Sequence, residues 1–379
     1  MALVLNEEQR LLKDTAREFL SARAPVDALR KLRDDRNPVG YDEGLWAEMA
    51  ELGWAGIVLP EEYGGLDFGF VGLGGVIEEC GRNLTASPLL ASVILGASAI
   101  LLGGSEQRKA SALPDIASGQ LTLALALEES NHHAPFGCAL QAQRNDQGWL
   151  LNGHKTFVFD GHSADQLIVV GRTSGKPGDR DGLTLFVVAA DAAGISRQRT
   201  LLIDSRNAAN IAFTDVQIGD SAVLGTVDQG AQILEQVLDR GRIAITAEML
   251  GGCIQVFEHT IAYLKEREQF GVKIGSFQAL KHRAAQMFSE IELCKSVVID
   301  ALLAIDENRD DLPLIASAAK AKLNETFHLI TNEGMQLHGG IGVTDDLEIG
   351  FFLKRARVLE QVFGNTGFHR DRFATLSGF

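Results

Sequence analysis

The chain has 379 residues, of which 46% are hydrophobic and 22% charged, with a mean hydropathy of +0.05 and a formal net charge of -15. That length supports two or three ordinary domains with sizeable cores, and the composition excludes a disordered chain. The acidic balance, with a pI near 5.1, leaves no basic stripe for nucleic acid or an anionic membrane surface.

The start, MALVLNEEQR, has no basic region before its short apolar run and turns acidic by residue 7, so it does not read as a signal peptide. Asn6 is a candidate N-cap paired with Gln9 in a capping box, and Leu12, Ala16, Phe19 and Leu20 follow at helical spacing. Residues 88–104, PLLASVILGASAILLGG, are the one candidate membrane segment. The uninterrupted apolar run falls short of the roughly 18 to 20 residues needed to span a bilayer, and reads as buried helix. Between residues 119 and 227 the pattern changes to the β-rich runs LTLALAL, WLLNGHKTFVF, QLIVVGR, LTLFVVA and NIAFTDVQI, separated by turn clusters such as NDQG and SGKPGDRDG. From residue 228 helical patterns return, over 230–268, 276–305, 312–337 and a last set after 344, and long helices with short connections make a bundle. The expected division is a helical region at 1–118, a β domain at 119–227 and a helical bundle at 228–379.

Cys80, Cys138, Cys253 and Cys294 are too scattered for a zinc or redox motif and too few for a disulfide framework, which fits a reducing cytoplasm. His132 and His133 are adjacent, but no carboxylate or cysteine cluster stands at ligand spacing, so no metal site is expected.

The stretch 263–281, YLKEREQFGVKIGSFQALK, interrupts the helical pattern with Arg267, Gln269, Phe270, Gly271 and Gln278. A guanidinium suits phosphate oxygens, with which it makes forked, charge-assisted bonds. Further on, QLHGGIGV at 336–343 carries a glycine pair that lets the backbone approach a bulky ligand. With DRGRIAI at 239–245, and the order helices, β domain, bundle, the sequence resembles the acyl-CoA dehydrogenase family over essentially its whole length. The resemblance implies a mainly α fold with a central β domain: an N-terminal helical domain, a middle β domain and a C-terminal four-helix bundle. It also implies FAD as cofactor and a tetramer. In that assembly Arg267, Gln269, Phe270, Gln278, Gln336, Gly339 and Gly340 are the half of a flavin site that one chain donates to its neighbour.

The residues a chain uses for its own flavin depart from the family pattern. The Thr-Glu-Pro-x-x-Gly-Ser-Asp-like run that lines the ring corresponds to LEESNHHAPF, residues 127–136, with Glu128 at the Thr position and no Gly-Ser pair. The Trp-Ile-Thr segment that packs on the flavin corresponds to HKTFVFDG, which places Phe157 at the Trp and Phe159 at the Thr. The family's catalytic glutamate, which removes the α-proton of the thioester, aligns with Phe363, and its Thr neighbour with Asn365. The other place where relatives carry the base, one residue before the bundle-helix arginine, is Gly241; that arginine, Arg242, is a candidate substrate-binding residue.

A general base must come within hydrogen-bond reach of its proton. Glu360 lies three residues from the expected place and is the alternative base, whereas Glu248 is seven residues past Gly241, roughly 10 Å along a helix axis. Glu248 and Asp239 read as surface or interface charges. Residues to be lent are kept and residues for the chain's own use are replaced. This is similar to the base-lacking subunit of bacterial heteromeric α2β2 acyl-CoA dehydrogenases of steroid and cholesterol side-chain breakdown. The resemblance then implies a bulky acyl-CoA as substrate, a homologous subunit as partner and electron transfer flavoprotein as acceptor. Two other readings stay open: a self-sufficient homotetrameric dehydrogenase with an unusual base, and a flavin monooxygenase or nitroalkane-oxidase-like enzyme on the same fold.

Overall fold

A computed structural model describes residues 4–379; residues 1–3, where the apolar start of the chain begins, lie outside the described residues. The first helices are α1 (Glu7–Arg23), α2 (Val26–Asp34), α3 (Glu43–Glu51) and α4 (Gly69–Asn83). A π-helical stretch, Leu89–Ala97, runs into α5 (Ser98–Gly103), and α6 (Glu106–Ala117) follows. Next come β1 (Leu123–Ala126), β2 (Gln141–Asn145), β3 (Gly148–Phe159), β4 (Gln166–Arg172), β5 (Leu183–Ala189), β6 (Ile195–Leu201), β7 (Asn207–Ile218) and β8 (Val223–Leu224). The last part holds α7 (Gly230–Glu266), β9 (Glu268–Gln269), β10 (Val272–Lys273), α8 (Gln278–Asp306), α9 (Leu312–His338), α10 (Ile349–Gln361) and α11 (Thr366–Leu376).

The start of α1 follows the capping-box expectation: Gln9 N donates to Asn6 Oδ1 at 2.8 Å and Asn6 N to Gln9 Oε1 at 3.0 Å. The apolar run at 88–104 is the π-helical stretch with α5, mostly buried, and no helix among the described residues is long and apolar enough to cross a membrane.

The chain folds into two compact units, and the boundary between them falls inside α7, after Gly241. One unit comprises Leu32–Gly69 and Ala86–Gly241. Its sheet has the order β6-β7-β3-β2-β4-β5-β8, with β1 parallel to β4 in the register Leu123↔Gln166. The strands foreseen from apolar runs are present. β2 and β6, with sequences QAQRN and ISRQRTL, carry no apolar signal and pair antiparallel with β3 and β7, whose own burial is strong. Partner strands thus override weak local preference. A register shift between Lys155 and Val158 breaks the β3–β7 ladder and sets Phe157 at φ +55°.

The other unit comprises the residues up to Lys31, Phe70–Thr85 and Arg242–Phe379. Here α4 crosses the second half of α7 with their backbones in contact. A Cβ on Gly81 would stand 2.0 Å from Glu248 O, and one on Gly251 would stand 1.8 Å from Glu78 O. The Asp306 carboxylate, at the end of α8, accepts from Phe70 N at 2.6 Å and Val71 N at 3.0 Å and so satisfies amides that the start of α4 leaves open.

Candidate functional site

The residues expected to be donated to a neighbour are built on the ends of α7 and α9. After Glu266 the helix gives way to the hairpin β9–β10, whose two loop residues, Phe270 and Gly271, have φ of +56° and +75°. This is the hairpin geometry that needs positive φ at both central positions, and a phenylalanine there is strained. Lys273 Nζ braces the hairpin on Glu268 at 2.7 Å, and Ile274 N donates to Arg267 O at 2.9 Å. The hairpin places Arg267, Gln269 and Phe270 together and outward, with Phe270 93% exposed and edge-on to Phe277 at 6.2 Å. Arg267 is exposed, and among the described residues its guanidinium has no hydrogen-bond or ion-pair partner. Gln278, the first residue of α8, is also exposed.

At the end of α9, Gln336, Gly339 and Gly340 line a cleft of about 540 Å³ with Asn332, Met335, Val343 and Leu353. Gly339 adopts φ +65°, ψ -142°, and a Cβ on either glycine would meet nothing within 4 Å. Tyr263, one turn before Arg267, lies against the ring of His338, the residue before Gly339, at 4.5 Å between centroids. That contact ties the arginine end of α7 to the glycine end of α9. An exposed cation, amide side chains and open space against bare backbone fit the phosphate-bearing part of FAD.

The segment expected to line the chain's own flavin ring does not fit in the same way. Glu128, at the Thr position, accepts from His133 Nδ1 at 2.5 Å and from Ala134 N at 3.3 Å. The Glu129 carboxylate accepts from Ala139 N at 2.7 Å, Leu140 N at 3.0 Å and the fully buried Lys155 Nζ at 2.7 Å. Burial opposes its ionisation, but Lys155 and the two amides together hold Glu129 below the usual carboxylate range. The loop 127–140 thus uses amides at Ala134, Ala139 and Leu140 on its own carboxylates. Phe159, at the position of the hydroxyl donor, is buried and packs edge-on with Phe157 at 5.0 Å. Among the described residues, no group of three or more His, Cys, Asp and Glu could hold a metal ion, and His133 is engaged by Glu128.

The turn between α10 and α11 carries Phe363, which is 7% exposed and has φ +55°. Its carbonyl accepts from Arg242 Nε at 3.2 Å and faces His369 Nε2 at 3.0 Å. The next carbonyl, of Gly364, accepts from Lys320 Nζ at 3.3 Å and Asn324 Nδ2 at 3.5 Å. Arg242 is 1% exposed and lies over the Phe368 ring at 5.6 Å, so what it holds in this chain is the turn. Gly241 is buried within α7 and brings no side chain.

Glu360, the alternative base, is paired with Arg357 at 3.5 Å and His328 at 3.8 Å, on the face between α9 and α10. The expectation that Glu248 and Asp239 are surface or interface charges is corrected: both are buried. Glu248 Oε1 lies 2.6 Å from Nη1 of the buried Arg355, because α7 turns this carboxylate inward onto α10. Lys320, Asn324 and His369 also bond to the α10–α11 turn and are not among the residues the sequence motifs point to. A signal existed, since Lys320 and Asn324 share the spacing of the buried Ala316, Leu323 and Phe327 on α9.

Models of three domains match the chain: acyl-CoA dehydrogenase N-terminal domain over residues 6–120, middle domain over 128–216 and C-terminal domain over 228–376. The chain is 30% identical to mitochondrial isovaleryl-CoA dehydrogenase of Pongo abelii over 94% of its own length and 85% of that relative. Butyryl-CoA dehydrogenase from Megasphaera elsdenii is similar in structure, with a TM-score of 0.90, 26% identity and full coverage of both chains. A solved structure described as a Tcur3481-Tcur3483 steroid ACAD variant matches with a TM-score of 0.87 and 31% identity, over 98% of each chain.

Proposed function

We propose, from the premise that this chain belongs to the acyl-CoA dehydrogenase family, that it acts as the base-lacking subunit of a heteromeric dehydrogenase. The assembly would remove hydrogen from Cα and Cβ of a bulky, steroid-type acyl-CoA, with a homologous subunit supplying the catalytic glutamate. The observation that carries this reading is the α10–α11 turn. Phenylalanine occupies the expected base position, buried and fixed through its own carbonyl, while the carboxylates Glu360 and Glu248 are held by Arg357, His328 and Arg355.

Three further observations support it. The family's flavoprotein fold is complete, yet the cofactor residues of this chain divide into an outward-facing set that suits FAD and a ring segment closed on itself. Exposed apolar side chains, Phe270, Val272, Phe277, Phe288 and Leu293, run from the hairpin along α8 and suit a seat for a partner chain. The similarity to a steroid ACAD whose description carries two protein names supports both the bulky substrate and the second subunit. All four cysteines are free and buried, which suits a reducing cytoplasm.

FAD, when bound, would supply the hydride acceptor. This chain's part is to hold it: Arg267 as a forked donor to phosphate, Gln269, Gln278 and Gln336 as amide partners, and Gly339 and Gly340 as bare backbone. Electron transfer flavoprotein is the proposed acceptor from the assembly. Arg267→Ala tests the donated half directly. Because the side chain is exposed, the fold should be unchanged by circular dichroism. Loss of a charge-assisted contact, about 1.5 to 3 kcal/mol, should weaken FAD retention roughly ten- to a hundredfold. Flavin content equal to wild type after extensive dialysis of the assembly would count against the donated site.

A further inference from the structure

Lys320 stands in the middle of α9 with no solvent exposure. Its Nζ has three acceptors: Asn324 Oδ1 at 2.6 Å, Leu359 O at 2.8 Å and Gly364 O at 3.3 Å. These belong to α9 itself, to the last turn of α10 and to the turn that carries Phe363. An ammonium has three N–H bonds and matches all three acceptors, whereas a neutral amine has two N–H bonds and a lone pair. Loss of one proton therefore forces one acceptor to be given up. Gly364 O makes the longest of the three contacts, and its other donor, Asn324 Nδ2, is at 3.5 Å.

We propose that Lys320 is a proton-operated positioning residue: charged, it pins the Phe363–Gly364 turn to α9, and neutral, it releases Gly364 and lets the turn relax. The inference concerns this chain by itself and does not rest on the partner subunit.

The charged surroundings decide where the switch acts. From α7, Arg242 faces the same turn and disfavours a second cation. From α10, Glu360 favours one, although it is also paired with Arg357 and His328. From α11, His369 bonds the neighbouring Phe363 carbonyl, while Arg372 is engaged with Pro313 O and Ser317 Oγ. From α8, Glu290 is bonded to Lys322 rather than to Lys320. Burial, and after it Arg242, bring the Lys320 ammonium down from 10.5 to about 7, against the opposing pull of Glu360. The device would therefore work at neutral pH. Phe363 is the reporter, since its backbone is held at φ +55° by the groups that clamp the turn.

The test places 4-fluorophenylalanine at position 363 of the full chain and follows its fluorine resonance from pH 5.5 to 9. The wild-type chain should titrate with a midpoint about 7, Lys320→Met should show no such titration, and His369→Gln should keep it. A flat wild-type response, a titration that survives Lys320→Met, or one that disappears with His369→Gln would overturn the proposal. Should Lys320→Met fail to fold, urea unfolding of the wild-type chain still decides. The folded value lies below the unfolded one, so the unfolded chain binds the extra proton between about pH 7 and 10.5. This group's own contribution to stability then rises with pH across that window, lowering the unfolding constant up to about tenfold per pH unit, while the buried thiols of Cys138, Cys253 and Cys294, held above their ordinary values, act the other way towards its alkaline end. A fall in stability from about pH 7 to 8, below the range in which thiols ionise, would contradict it.

Discussion

Glu248→Ala is expected to lower the free energy of unfolding by about 3–5 kcal/mol. Glu248 and Arg355 are 8% and 2% exposed, and their 2.6 Å contact joins α7 to α10. Removing the carboxylate leaves the guanidinium in the interior without that counter-charge, and desolvation is no longer offset there. The same position lies at the glycine-lined crossing of α4 and α7, where Gly81 packs on Glu248 O, so there is little room for the backbone to adjust. Glu248→Gln, which keeps the shape and one acceptor, should cost less. Urea unfolding of the two variants measures the difference. A loss below about 1 kcal/mol for Glu248→Ala would place this pair with surface ion pairs, against the burial seen here.

Phe363→Ala should cost about 3–5 kcal/mol for the lost ring and the cavity it leaves. Alanine meets the same left-handed backbone as phenylalanine, so the change in strain is small and the measured loss reports the ring. The functional expectation is the reverse of that for a catalytic residue. In a reconstituted assembly that remains folded and holds its flavin, dehydrogenation should persist if, as proposed, the base lies on the other subunit. Steady-state turnover of the assembly with this variant, alongside its unfolding curve, separates the two effects. Turnover abolished with flavin and fold intact would give position 363 a role in the chemistry that the present reading denies it.

Much of this architecture is legible in the sequence because burial writes a period into it. The helices after residue 228 announce themselves by apolar spacing, and β4 and β5 by unbroken apolar runs. The polar strands β2 and β6 are not legible, because their place is set by hydrogen bonds to β3 and β7 rather than by their own side chains. The hairpin at 268–273 hides for another reason. Its turn uses Phe270 where glycine or asparagine is the usual signal, so the left-handed residue cannot be recognised by type. At the site, the motifs around Arg267 and Gly339 could be read as such, but their exposure could not. Glu248 reads as a surface charge because a carboxylate in a long helix is ordinarily solvated, and its burial goes with its pairing to Arg355, 107 residues away. Lys320 shares the spacing of the buried Ala316, Leu323 and Phe327, but its three acceptors, two of them 39 and 44 residues away, are not written in that spacing.

A chain that lends a flavin site without completing one, as proposed here, should betray this in its FAD content when purified. The chain expressed alone, after extensive dialysis, should hold far less than one FAD per chain by its visible absorbance. Co-expression with a homologous, glutamate-bearing subunit should yield a yellow complex that oxidises acyl-CoA. One tightly bound FAD per chain in a homo-oligomer that turns over acyl-CoA unaided, with activity lost on Glu360→Gln, would mean that the chain completes its own flavin site and that Glu360 is the base.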